Sequence, residues 1–430
     1  MTGLRQYERE RELPATLGDP GLSLPSDEEL IGHVERGLAD PGMQQPIGAS
    51  LEYARWKPGV SSTGTWTVRM QDGSERLVTA KSYIDGSKVT GLRTRGAEEQ
   101  WLEDEHLRAS LTDLRPLFLS PGQNLAIWAF PADRNLRGAA RCIHPRRAAR
   151  LLQDTLELGE LALRKRKAQV EILRYKPERR LVLAIRVPRR GELLPGEGRE
   201  VRAILRIHPP DRGAESFDRR RACSVASEVG PELLGLDRGT GTIVEEWLEG
   251  AAPADGFGHA SVVGKLLAPL HGAPSETRDV PPPSRSDAHA LLERAGLECP
   301  PAPTSYGEEK ACWVHGDLHP DQVLFTQGGA RLLDLDELRP GDPLEDLGSW
   351  IADHLTDQPG TPLEDAEGPL LEGYLAAGGK TPDPARLREM VATCMVERAA
   401  ATLRRLERDA VERAGGLVAR AKELREGARS

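Results

Sequence analysis

The stretch WVHGDLHPDQVLF, residues 313–325, sets two histidines, two aspartates and a glutamine between apolar flanks. Val323 to Phe325 has the composition of a β-strand, TQGGA (326–330) of a tight turn and RLLDLDE (331–337) of a returning strand. The polar residues therefore fall in a loop that runs into a hairpin. On a returning strand Asp334 and Asp336 would share one face, because strand side chains alternate with period two. Asp317, Gln322 and Asp334 are then expected to converge. Carboxylate and amide oxygens without cysteine are hard ligands and suit Mg²⁺ better than zinc. His315 and His319 have a zinc-like spacing, but Gly316 and Pro320 oppose the helix that would aim them together. Phosphoryl transfer needs this combination of a carboxylate at the acceptor hydroxyl and oxygen ligands for a metal at the phosphates.

The rest of the chain limits the alternatives. Its 430 residues are too many for one ordinary core. A net charge of −9 gives no general support for binding nucleic acid. The charged start, MTGLRQYERERELPATLGDP, differs from a secretory leader, and no later stretch has the apolar length of a membrane span. A cytoplasmic location is expected, with neither nucleic acid nor membrane as partner. Five scattered cysteines without CxxC spacing indicate neither a disulfide framework nor a zinc site.

Outward from the strip, a repeat occupies the first half. EYARWKPGVSSTGTWTVRM from residue 52 and EILRYKPERRLVLAIRV from residue 171 each read as a strand entering a hairpin. Their return strands contain RLVTAKSY and VRAILRIHPP, and duplication of one β-rich module is the expectation. A helical bridge after Pro145 puts a boundary near residue 165. Beyond residue 345 the pattern is mostly helical.

HGDLHPDQVLF, LLDLDE and GDPLEDLGSW, in that order, resemble the catalytic loop, metal-binding strand and following helix start of the aminoglycoside phosphotransferase and choline kinase-like family. The helix ending LAPLHG and the strand IVEEWLEG are similar to that family's lobe connection. The resemblance implies an α+β fold, bilobal and protein-kinase-like, with an extra β-rich cap at the N-terminus. It divides the chain into a cap over 1–165, a kinase N-lobe over 166–245 and a helical C-lobe over 246–430, with the catalytic loop at 315–322 and the metal-binding strand at 332–337. It implies transfer of phosphate from ATP, with Mg²⁺, to the hydroxyl of a small molecule.

Carried over by residue, Asp317 resembles the catalytic aspartate, Asp334 the metal-bridging aspartate, and Gln322 stands where most of the family has a metal-binding asparagine. Asp336 is an auxiliary candidate. His315, Asp342 and Asp346 are expected to brace the loop and start a helix. Maltokinase-like sugar kinases are similar in carrying HGDxHxxQ and an added cap, which points to a sugar or amino sugar as acceptor. An aminoglycoside kinase and a pseudokinase acting as a binding protein are the alternatives. Nucleotide-binding candidates are Arg206, where the family usually has lysine, Glu215 as its ion-pair partner, and Glu246 at the lobe connection. Lys81 in the first hairpin has the lysine that the second lacks.

Overall fold

The computed structural model describes residues 22–39, 43–111, 113–158, 163–190, 199–253, 257–275, 286–300, 311–406 and 408–429. The charged start, the loop readings at 281–283 and 300–307 and most of the turn at 188–200 lie outside them or at their edge.

Two antiparallel sheets account for the first half. Strands β1 (Pro46–Lys57), β2 (Ser61–Met70), β3 (Glu75–Tyr83), β4 (Leu117–Ser120) and β5 (Leu125–Ala129) pair in the order β1-β2-β3-β5-β4. Strands β6 (Gln169–Lys176), β7 (Arg180–Pro188), β8 (Glu200–Ile207), β9 (Leu233–Asp237) and β10 (Thr242–Glu246) pair in the order β6-β7-β8-β10-β9. The likeness seen in the two hairpins thus extends through whole sheets, each a three-strand meander followed by a helical connection and a returning pair.

It extends to single residues as well. Lys57 pairs with Ser61 across the first turn and Lys176 with Arg180 across the second. The turn residue at positive φ is Gly59 in one (φ +64°) and Glu178 in the other (φ +60°). Lys81 lies opposite Thr63 as Arg206 lies opposite Val182, so the two basic residues hold corresponding places.

Alternation decides what each face of the second sheet meets. Leu181, Leu183, Ile185 and Val187 enter a buried cluster with Leu151 and Leu152 of the helix Pro145–Thr155. Burying such a side chain stabilises by roughly 1.5–3 kcal/mol, so this face is fixed toward the helix. Arg180, Val182, Ala184 and Arg206 are left on the other face, toward the C-terminal half.

That half is built from the helices Ala260–Gly272, Leu344–Asp357, Leu363–Ala376, Pro384–Arg404 and Ala410–Arg429. Pro384 occupies the first helical position, and the Asp383 side chain accepts from the Arg386 backbone N–H at 2.8 Å, which starts that helix. The hairpin 323–332 pairs with 250–251, and Cys312–Val314 pairs with Arg339–Gly341. Strand pairing in the hairpin ends at Leu332. The expected strand through 332–337 is therefore corrected: Asp334 takes a left-handed conformation (φ +62°, ψ 46°) and Leu335–Glu337 forms a 3₁₀ turn. Among the described residues no helix is long and apolar enough to cross a membrane.

Candidate active site

The catalytic-loop segment is held from below by Asp346. This fully buried carboxylate accepts from the His315 backbone N–H at 2.7 Å and the Gly316 backbone N–H at 2.9 Å, and lies 3.1 Å from His271 Nε2. Burial alone would raise its pKa, but these hydrogen bonds and the His271 partner hold it below the usual carboxylate range. Gly316 has φ +81°, and a Cβ there would come 2.6 Å from the Glu337 carbonyl oxygen, so the loop admits only glycine. His315 is buried, with Nε2 2.9 Å from the Leu333 carbonyl. It thereby joins the loop to the segment carrying Asp334. Gln322 forms the same link from the other side: its carbonyl accepts from Leu333 N–H at 2.7 Å, and its side-chain oxygen accepts from His319 N–H at 3.2 Å.

Asp317, between these anchors, has its pKa raised by burial and by the negative charge of Asp334. His319 is pushed down to about 3 by burial and by Arg398, and is neutral at ordinary pH.

Asp334 and Asp336 meet the free face of the second sheet. Arg206 donates from its Nη2 to Asp334 at 2.5 Å and to Asp336 at 2.6 Å, and from Nε to Asp336 at 3.2 Å. Arg180 donates to both oxygens of Asp334, the second contact being 2.8 Å, and to Asp336. Glu245 on β10 lies 3.6 Å from Arg206 and accepts from Arg220 of the helix Pro210–Ala222. A buried ion carries a desolvation penalty of several kcal/mol, which is offset only where opposite charges and hydrogen bonds surround it. Here three arginines interlock with three carboxylates. Burial would raise the pKa of Asp334, yet Arg206 and Arg180 hold it below the ordinary carboxylate value, and Asp336 lies lower still.

The structure thus brings Asp317, Gln322, Asp334, Asp336, His315 and Arg206 together. Asp342 sits at the edge, capping Leu344 N–H at 2.9 Å and accepting from Arg386 at 2.8 Å. Glu246 ends β10, where its carboxylate accepts from Glu232 N–H at 3.2 Å. Glu215 departs from its expected pairing: it is exposed and binds Arg219 one helical turn on, at 2.6 Å, while Glu245 stands beside Arg206. The ion pair has its polarity reversed, since the helix supplies Arg220 and the strand the carboxylate.

Lys81 reaches the hairpin tip of the second sheet and pairs with Glu178. Arg134 joins the same carboxylate at 2.9 Å, and Asp133 accepts from Glu178 N–H at 2.7 Å and from Tyr175 O–H at 3.0 Å. Residues missed in the sequence are Arg180, Glu245, Arg220 and Asp353. Asp353 bonds Arg398 at 2.8 Å, and burial raises its pKa to about 6.

An aspartate-bearing loop thus lies against the basic face of an antiparallel sheet. Residues 192–390, a little under half of the chain, match the phosphotransferase enzyme family (APH). Solved structures similar to the chain include a choline/ethanolamine kinase family protein from Mesorhizobium loti, at 21% identity and a TM-score of 0.39, covering 65% of this chain and 94% of that one. An aminoglycoside phosphotransferase from Alicyclobacillus acidocaldarius gives 13%, 0.39, 64% and 96% for the same measures. Plasmodium vivax ethanolamine kinase gives 11%, 0.41, 61% and 85%. These likenesses are loose. No curated protein matches the chain.

Proposed function

We propose that the protein transfers the γ-phosphoryl group of ATP to a hydroxyl of a small molecule, a sugar or amino sugar being the favoured acceptor. The observation that carries this reading is the meeting of Asp317, which is open to solvent, and the half-buried Asp334, two carboxylates in different electrostatic states, under the basic face of the second sheet. Asp334 is kept ionised by its arginines, whereas Asp317 has raised proton affinity. A carboxylate of the second kind suits the acceptor: it orients the hydroxyl and takes its proton as the oxygen attacks phosphorus. The proton then passes to solvent. Val182 and Ala184, with Ile204 opposite Ala184, supply an apolar wall on the same sheet face for a base.

A divalent cation fits the donor set in kind. Among the described residues no group of three or more His, Cys, Asp or Glu side chains is arranged to hold a metal. Mg²⁺, however, is commonly held by one or two carboxylates together with substrate phosphates, and Asp334 with Gln322 meets that smaller demand. When bound it would neutralise charge on the phosphates. Among the described residues the buried Gln322 Nε2 has no hydrogen-bond partner.

A sugar acceptor is supported by the glutamine at 322 and the N-terminal cap. The second reading, a catalytically silent binding protein, is favoured by one observation: both Asp334 oxygens are covered by guanidinium groups. Phosphate transfer from ATP with Mg²⁺, tested across sugars, amino sugars and aminoglycosides beside Asp317→Asn, decides between them. Turnover abolished by the substitution establishes the kinase and its acceptor class; magnesium-independent ligand binding without turnover establishes the alternative.

A further inference from the structure

Arg206 stands where the family resemblance puts a phosphate-binding lysine, yet its guanidinium is directed into carboxylates. Two contacts to Asp336, one to Asp334 and the neighbouring Glu245 surround it. A planar fork of this kind matches carboxylates and holds its direction, so it is poorly placed to serve a phosphate as well. The phosphates of a nucleotide would need another cation.

The register of β6 against β7 supplies one. Lys176 pairs with Arg180 and Arg174 with Val182, so these four side chains share one face of the sheet. That face is the one toward the catalytic loop, because Arg180 reaches Asp334 and Asp336 from it. The intervening Tyr175 points the opposite way, to Asp133. Lys176 and Arg174 are both partly buried, and among the described residues neither has a carboxylate within ion-pair distance. Arg180 and Arg206, by contrast, are each bonded to both Asp334 and Asp336. Asp334 and Asp321 act on Arg174, and Asp334 on Lys176, without forming an ion pair with either. Partly buried cations without partners are destabilising unless an anion completes them.

From this arrangement, and resting on the nucleotide reading above, we infer that Lys176, assisted by Arg174, binds the terminal phosphates of the nucleoside triphosphate, while Arg206 is a positioning residue for Asp334 and Asp336. The role of the missing lysine has moved from the third strand of the sheet to the first. The electrostatics agree: burial and the surrounding Arg174, Arg180 and Arg179 lower the Lys176 pKa to about 7, so an arriving polyanion would restore its full charge.

Calorimetric titration of the full chain with ATP, adenosine and inorganic tripolyphosphate tests this, with thermal unfolding of each variant alongside. Lys176→Gln is expected to weaken ATP and tripolyphosphate by about tenfold or more and to leave adenosine unchanged. Its unliganded melting temperature should equal or exceed that of the wild type, which a merely structural lysine would not produce. Lys176→Arg should recover most of the phosphate affinity. Wild-type affinity for both phosphate ligands in Lys176→Gln and Arg174→Gln overturns the inference while leaving the nucleotide site standing. Loss of tripolyphosphate binding in Lys176→Gln, in a protein that never binds ATP or adenosine, keeps the anion site and overturns the nucleotide reading. Binding of none of the three by the wild type overturns both.

Discussion

At the scale of residues, the site works by giving chemically identical groups different surroundings. Asp317 has burial and a neighbouring carboxylate against it, whereas Asp334 has two arginines for it. Replacing Asp317 by Asn keeps the size and removes the proton acceptor, so turnover should fall by about 10²–10⁴ with the circular dichroism spectrum unchanged. Lys176 gives a second residue-scale expectation. Its folded pKa of about 7 lies below the 10.5 of the free side chain. Between those values the unfolded chain holds the extra proton, so unliganded stability should rise as pH goes from about 7 to about 10.5 and level off below 7. Lys176→Gln should flatten that rise, which denaturant midpoints across the pH range would show. The groups facing it are Arg174, Arg179, Arg180 and Asp334.

At the scale of elements, the β6–β7 turn is the part held most deliberately. Glu178 sits at φ +60°, where a side chain is disfavoured and where the first sheet uses Gly59. The strain is borne because Lys81, Arg134 and the Asp133 contact all use that position. Glu178→Ala keeps the strained turn and leaves two cations unpaired, and should lower stability by about 2–4 kcal/mol. Glu178→Gly loses the same ion pairs but relieves the turn by about 1 kcal/mol, so it should be the milder of the two in urea unfolding. The element scale also shows how far the sequence was legible. HGDLHPDQ and GDPLEDLG could be read because their residue order and spacing resemble those of a known family, although the bonds they make reach across the chain. The alternation in LLDLDE misled, because it continues past the end of strand pairing at Leu332 into a left-handed turn. The aspartates still converge, through turn geometry rather than a shared strand face. Arg180 and Lys176 were illegible since their meaning depends on which face of one sheet meets a loop more than 100 residues away. The Glu245–Arg220 pair was hidden for a related reason: the helix and strand exchange the charges expected of them.

At the scale of the whole molecule, the two sheets are alike in order but differ in use. The second covers the catalytic loop, and the first grips the tip of the second through Lys81, Arg134 and Asp133. It also meets the helical half, where the guanidinium of Arg294 lies 5.8 Å from the ring centroid of the fully buried Trp56. The first sheet is thus packed against both parts that a catalytic cleft must keep in register. Lys81→Met should therefore reduce ATP affinity without touching the cleft, and calorimetry beside Lys176→Gln would show whether the two changes are additive. Non-additivity is expected, because both substitutions act on the same turn. The Lys81–Glu178 bridge has a further consequence, which follows from reciprocity. If the bridge alters affinity for a ligand under the hairpin, that ligand must alter the strength of the bridge by the same factor. Occupancy of the cleft would then be readable in the amide exchange of β3, and any small molecule lodged against the first sheet would act as a rheostat on the second.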